Sequence, residues 1–189
     1  MFIQTESTPN PATLKFLPGR EVMGEASVAD FPDAPSAERS PLARAIFANS
    51  DVKRVFFGSD FISVTKSEES DWRHLKPSIL GAIMEHFTRG APLMESAAAE
   101  DAADEPVYTG EDAEIVEQIK DLLDTRVRPA VANDGGDIIF RAYDGASGVV
   151  SLHMRGSCAG CPSSTMTLKN GIENMLRHYI PEVTAVEAV

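Results

Sequence analysis

The chain has 189 residues, 43% of them hydrophobic and 24% charged, with a formal net charge of −12. That length exceeds one compact domain, and no apolar run approaches the roughly 20 residues of a membrane span, so two small soluble domains are expected and no membrane. Nucleic acid is excluded as a partner by the distribution of charge: residues 1–90 carry 10 Lys/Arg against 12 Asp/Glu, 91–113 none against 7, and 114–189 carry 7 against 10, so neither flank is basic enough to neutralise phosphates.

Taken in order, Ile3-Gln4-Thr5 and Thr13-Leu14-Lys15-Phe16-Leu17 read as early strands about the turn Pro9-Asn10-Pro11. A polar loop is expected up to Ser40-Pro41, which starts a short helix: a side-chain oxygen caps it and a proline occupies its first position. Val52 to Gly58 and Phe61 to Lys66 form an antiparallel hairpin. Asp71 to Arg89 is helical, with Trp72, Leu75, Ile79, Leu80, Ile83, Met84 and Phe87 at helical spacing and a kink or fresh start expected at Pro77. This closes a first domain, 1–90.

Residues 91–110 are acidic and Ala-rich and read as a flexible linker, since they bury too little apolar surface to offset ordering. The second domain, 111–189, begins with a helix carrying Ile115, Ile119, Leu122 and Leu123, expected to end near Arg128-Pro129 because the residue before proline is pushed out of the α region. Next come the tight turn Ala132-Asn133-Asp134-Gly135-Gly136-Asp137, strands over 138–143 and 149–154, a helix with Leu168, Ile172, Met175, Leu176 and Tyr179 on one face, and a last strand near Val183–Glu187. The fold class is therefore α+β: two small domains joined by an acidic linker, the second α-β-β-α-β.

Between the second strand and its helix lies Arg155-Gly156-Ser157-Cys158-Ala159-Gly160-Cys161-Pro162, which holds the only two cysteines of the chain. Too few for a secreted disulfide framework, they suit a soft metal or a reversible disulfide. Pro162 is expected at the first helical position, leaving both sulfurs in the loop, where the helix N-terminus favours thiolate. Two sulfurs are half of a four-donor site, a deficit that a second copy related by a two-fold axis would fill; such an interfacial site would be labile. A dithiol–disulfide oxidoreductase is the rival reading, and a zinc shared by a dimer the nearest chemical variant. His153 is set aside as a solvent-facing or packed strand residue, His74, His86 and His178 follow no ligand spacing, Asp134 and Asp137 shape the turn, and Trp72, Met84 and Met175 belong to helix cores.

Asp134-Gly135-Gly136-Asp137-Ile138, Gly156 to Ser164 and Leu168-Lys169-Asn170-Gly171-Ile172-Glu173 closely resemble the C-terminal domain of NifU, the Nfu domain of iron–sulfur cluster biogenesis. Thr5 to Pro11, Val55-Phe56-Phe57-Gly58 with Asp60 to Lys66, and Trp72 to Pro77 resemble the Nfu N-terminal domain. The resemblance implies a carrier rather than an enzyme: a [4Fe-4S] cluster held between the subunits of a homodimer by Cys158 and Cys161, received from an upstream scaffold and passed to apo-proteins. No further cysteine is present for the scaffold and ferredoxin-type domains of full-length NifU, which favours delivery over assembly. The absence of a targeting extension gives the expectation of a bacterial, cytoplasmic member. The N-terminal domain receives no chemistry; it is expected to recognise clients or tune dimerisation.

Overall fold

A computed structural model describes residues 1–24, 27–95, 106–159 and 162–189, the side chains of 162–164 excepted. It divides into two compact α+β units, Met1–Ala98 and Ala99–Val189. The central part of the expected linker, 96–105, lies outside the described residues.

In the first unit the strands β1 (Gln4–Ser7), β2 (Thr13–Leu17), β3 (Ala29–Phe31), β4 (Val52–Phe57) and β5 (Ile62–Lys66) form an antiparallel sheet of order β1-β2-β5-β4-β3. Phe16, Val55, Phe57, Ile62 and Val64 point to one face and share a core with Leu42 and Ile46 of α1 (Pro41–Phe47) and Leu75, Ile79 and Ile83 of α2 (Trp72–Arg89). The start of α1 is as expected: the Ser40 hydroxyl oxygen accepts from the Ala43 N–H at 3.2 Å, with Pro41 next.

Three details differ from the sequence reading. The loop before Ser40 contains the edge strand β3 and a 3-10 turn, Pro35–Arg39. A three-residue strand is too short to show alternation, and it is held by pairing Ala29 with Phe57 and Phe31 with Val55. No fresh helix starts at Pro77. One helix runs through it, capped by the Asp71 carboxylate and closed by Gly90 at φ +65°, because a single lost N–H is outweighed by burial of Leu75, Ile79 and Ile83. Met84, expected in the core, is exposed.

Residues 91–95 are tied to this unit. The Ser40 hydroxyl donates to the Leu93 carbonyl at 2.6 Å, the Glu95 N–H donates to the Arg39 carbonyl at 2.8 Å, and Leu93 and Met94 pack against the core.

The second unit has the α-β-β-α-β order. Its first helical stretch does not stop before Pro129: α3 (Glu111–Leu122) passes through a π-helical turn, Leu123–Val127, into α4 (Arg128–Asn133). The Arg128 N–H bonds to the Leu123 carbonyl five residues back, and Arg128 keeps helical angles, φ −59° and ψ −42°. A widened turn re-registers the carbonyls just where Pro129 has no N–H to offer, so the chain continues where proline ordinarily ends a helix.

After the turn, β6 (Gly136–Asp144) pairs antiparallel with β7 (Val149–Gly156), and α5 (Pro162–Tyr179) crosses over to β8 (Ala185–Ala188), parallel to β7. Ile119, Leu123, Val127 and Val131 from the helical layer meet Ile138, Phe140, Val150 and Leu152 from the sheet and Ile172, Leu176 and Ile180 from α5 and its end. Tyr179, read as part of that face, is exposed under the Arg126 guanidinium, 5.0 Å from its ring centre; Ile180 takes the buried place.

Candidate metal centre

The cysteine loop is built where β6 begins and β7 ends. Gly136 and Gly156 face each other in the register, as do Asp137 and Arg155. Gly135 at φ +82° and Gly156 at φ +63° occupy backbone conformations that side chains disfavour, so the turn into β6 and the exit from β7 close upon each other. The Ser157 N–H donates to the Gly135 carbonyl at 3.2 Å, the Ser157 hydroxyl to the Asp134 carbonyl at 2.5 Å, and the Ala159 N–H to the Gly156 carbonyl at 3.2 Å. From the other side, the Thr165 hydroxyl in the first turn of α5 donates to the Cys158 carbonyl at 2.8 Å. As expected, α5 starts at Pro162. Cys161, directly before it in sequence, lies outside the described residues, as does Gly160.

Cys158 itself is 6% exposed and belongs to the core cluster of the second unit. Burial pushes its thiol up to about 11, with Asp134 and Asp137 adding to the rise against a lowering hydrogen bond from Ser157. The expectation that the helix end would favour thiolate is therefore not met at Cys158, where burial favours the protonated thiol. Among the described residues, no three His, Cys, Asp or Glu side chains gather as a metal site.

Asp137 has a structural partner. It is 4% exposed and takes a bidentate pair from Arg128, Nε to Oδ1 at 2.8 Å and the second guanidinium N–H to Oδ2 at 3.0 Å; Asp124 adds a contact to Arg128 at 3.1 Å. This fork clamps the end of the helical layer to the first residues of β6, and through the register to Arg155. Asp134 serves through its carbonyl. The two acids shape the turn as expected, but Arg128 and Thr165 were not singled out: neither stands near the cysteines in a recognisable spacing. His153 lies on the strand face away from the core, its Nδ1 2.9 Å from the Val189 main-chain oxygen.

The residue set fits iron–sulfur chemistry in its donor type: a soft thiol at a strand–helix junction, with a second thiol three residues later and glycines leaving the backbone close to the sulfur. In one chain it remains short of four donors. Among the described residues no helix is long and apolar enough to cross a membrane.

Comparison with known proteins places these features. Residues 3–90 match the family described as scaffold protein Nfu/NifU N terminal, and residues 119–187 match the NifU-like domain. The chain is 54% identical over 99% of its length to "NifU-like protein 4, mitochondrial" of Arabidopsis thaliana, 53% over 99% to "NifU-like protein 5, mitochondrial" of the same plant, and 52% over 100% to "NFU1 iron-sulfur cluster scaffold homolog, mitochondrial" of Drosophila willistoni. It spans 65%, 67% and 64% of these relatives' own lengths. The expectation of a bacterial cytoplasmic protein is overturned here, since these relatives of about half identity are mitochondrial proteins of eukaryotes; the absence of a targeting sequence was too weak a ground for it. With both domains matched in order, the chain belongs to the Nfu family of NifU-like iron–sulfur proteins.

Proposed function

We propose that this chain is a carrier, not an enzyme: it receives an iron–sulfur cluster from an upstream scaffold, holds it as a [4Fe-4S] unit between two copies of the chain through Cys158 and Cys161 of each, and delivers it to apo-proteins. The observation that carries the reading is the place of Cys158, at the β7–α5 junction of a NifU-like domain, three residues before the second thiol. Two thiols per chain make half a site, and a half site opens when two loops part, which suits cargo that must leave. Arg128 and Asp137 fix the base of the loop, while Thr165 and Ser157 fix its backbone on either side of the sulfur.

The dithiol oxidoreductase reading is disfavoured by the same site. An attacking thiol of that class is exposed and acidified, whereas Cys158 is buried and its pKa is raised.

Anaerobic reconstitution tests the carrier. About four iron and four sulfide per dimer are expected, with dimerisation on loading, and Cys158→Ala or Cys161→Ala should abolish iron binding while leaving the far-ultraviolet circular dichroism unchanged. A reconstituted protein that stays monomeric, or that retains only zinc, removes the reading.

A further inference from the structure

Cys158 is turned inward, and the structure shows what holds it there. The first element is Gly136 at the start of β6. A Cβ at that position would stand 2.6 Å from the Cys158 Sγ and 2.7 Å from the Arg155 carbonyl oxygen, closer than Cβ atoms come, and a tight 3.2 Å from the Cys158 nitrogen. The missing side chain is therefore the slot in which the sulfur lies. The second element is Thr165, whose hydroxyl holds the Cys158 carbonyl at 2.8 Å and ties the loop to α5. With the thiol in its slot, Cys158 joins the core cluster of the second unit and is 6% exposed, whereas a sulfur that bridges two chains must face outward.

The geometry points to a retractable ligand: Gly136 and Thr165 hold the Cys158 thiol withdrawn in the cluster-free chain, cargo binding turns it out, and release lets it return under β6. The second half of this statement rests on the carrier reading; the first does not. On loading, the thiol gives its proton to solvent and the sulfur bonds to iron. On release, that bond is exchanged for one to a thiolate of the acceptor and Cys158 regains a proton, with no electron transferred. The withdrawn state competes with the loaded one, so its stability is subtracted from cluster affinity. Gly136 and Thr165 are positioning residues that bias the chain toward letting its cargo go.

The full chain serves for the test. Anaerobic alkylation by iodoacetamide, read at Cys158 by peptide mass spectrometry, should be at least about tenfold slower in the folded chain than in urea. Thr165→Val should speed it, and Thr165→Ser, which keeps the hydroxyl, should restore the slow rate. After reconstitution, Gly136→Ala should bind the same iron but yield it several-fold more slowly to an apo [4Fe-4S] protein, because its methyl occupies the slot. Should that variant fail to fold, Thr165→Val is expected to slow release in the same sense. Equal labelling of Cys158 in folded and unfolded chains, no response to Thr165→Val, or wild-type release from whichever variant folds, would each overturn the proposal. If the wild-type chain binds no iron, the carrier reading falls while the labelling comparison still decides whether the thiol is withdrawn.

Discussion

Both units bury charged side chains on a sheet, and they use them differently. In the first, the row Glu6, Lys15, Ser63, Phe56 and Asp30 runs in register across all five strands on the face away from the core. It closes on itself: Arg54 forks onto Asp30, Lys15 lies 4.6 Å from the Phe61 ring, and Phe61 stacks at a tilt on Phe56. In the second, the half-buried fork from Arg128 to Asp137 sits at the root of a loop that carries a thiol. The same device thus completes a surface in one unit and braces the base of the cysteine loop in the other, and only the second unit carries thiols.

The largest expected effect comes from cutting the fork. Arg128→Ala leaves the Asp137 carboxylate buried without its bidentate partner and should cost the second unit about 2–3 kcal/mol. Hydrogen exchange of the β6 and β7 amides measures it. The single tryptophan, Trp72, lies in α2 of the first unit, so its fluorescence transition should stay in place. A shift of both signals together would show that the two units do not unfold independently and would erase the contrast drawn above.

A smaller effect is expected at Ser40, which is fully buried and has a counterpart role in the first unit: one hydroxyl both caps α1 and holds the Leu93 carbonyl. Ser40→Ala should cost about 1–2 kcal/mol, now moving the Trp72 transition and sparing the β6 and β7 amides. It should also speed exchange at Glu95, whose N–H is bonded to Arg39 in the segment that Ser40 secures. Protection at Glu95 unchanged from wild type would mean that residues 91–95 are held without Ser40, by the packing of Leu93 and Met94 and the contacts of Glu95 with Arg39 and Arg44.

How much of this was legible beforehand depends on whether the cause was local. The Ser40-Pro41 helix start, the hairpin over Val52–Lys66, the β7–loop–α5 order around the cysteines and the start of α5 at Pro162 follow from neighbours in sequence, and they are found. Pro129 misled because a π-helical turn overrode a local rule, while at Pro77 burial keeps one continuous helix and only the fresh start is ruled out. The withdrawn thiol was unreadable for a related reason: helix-end electrostatics is a sequence-local argument, while the burial of Cys158 depends on an absent side chain at Gly136, 22 positions earlier. Arg128 was passed over as a helix terminator's neighbour, its partner Asp137 being brought to it only by the turn. Met84 and Tyr179 stand at helical spacing yet outside, since a stripe of apolar residues can be wider than the face its partner covers.

The smallest effect separates the units by pH. His86 on α2 is 7% exposed, edge-on to Phe87 at 5.4 Å, and burial lowers its pKa from the ordinary 6.5. Its neutral form is therefore favoured by the fold, and below pH 6.5 the unfolded chain takes up a proton more readily than the native one. The stability linked to His86 is fully present above pH 6.5 and is lost as pH falls through the lowered native value. The Trp72 transition should accordingly weaken between pH 7 and 5 in the wild-type chain and less so in His86→Gln, which carries no titratable group there. The β6 and β7 amides, in a unit whose nearest comparable residue, His153, is on the outer face of the sheet, should show no difference between the two proteins over that range. An equal acid response of Trp72 in wild type and variant would show that His86 does not carry the loss.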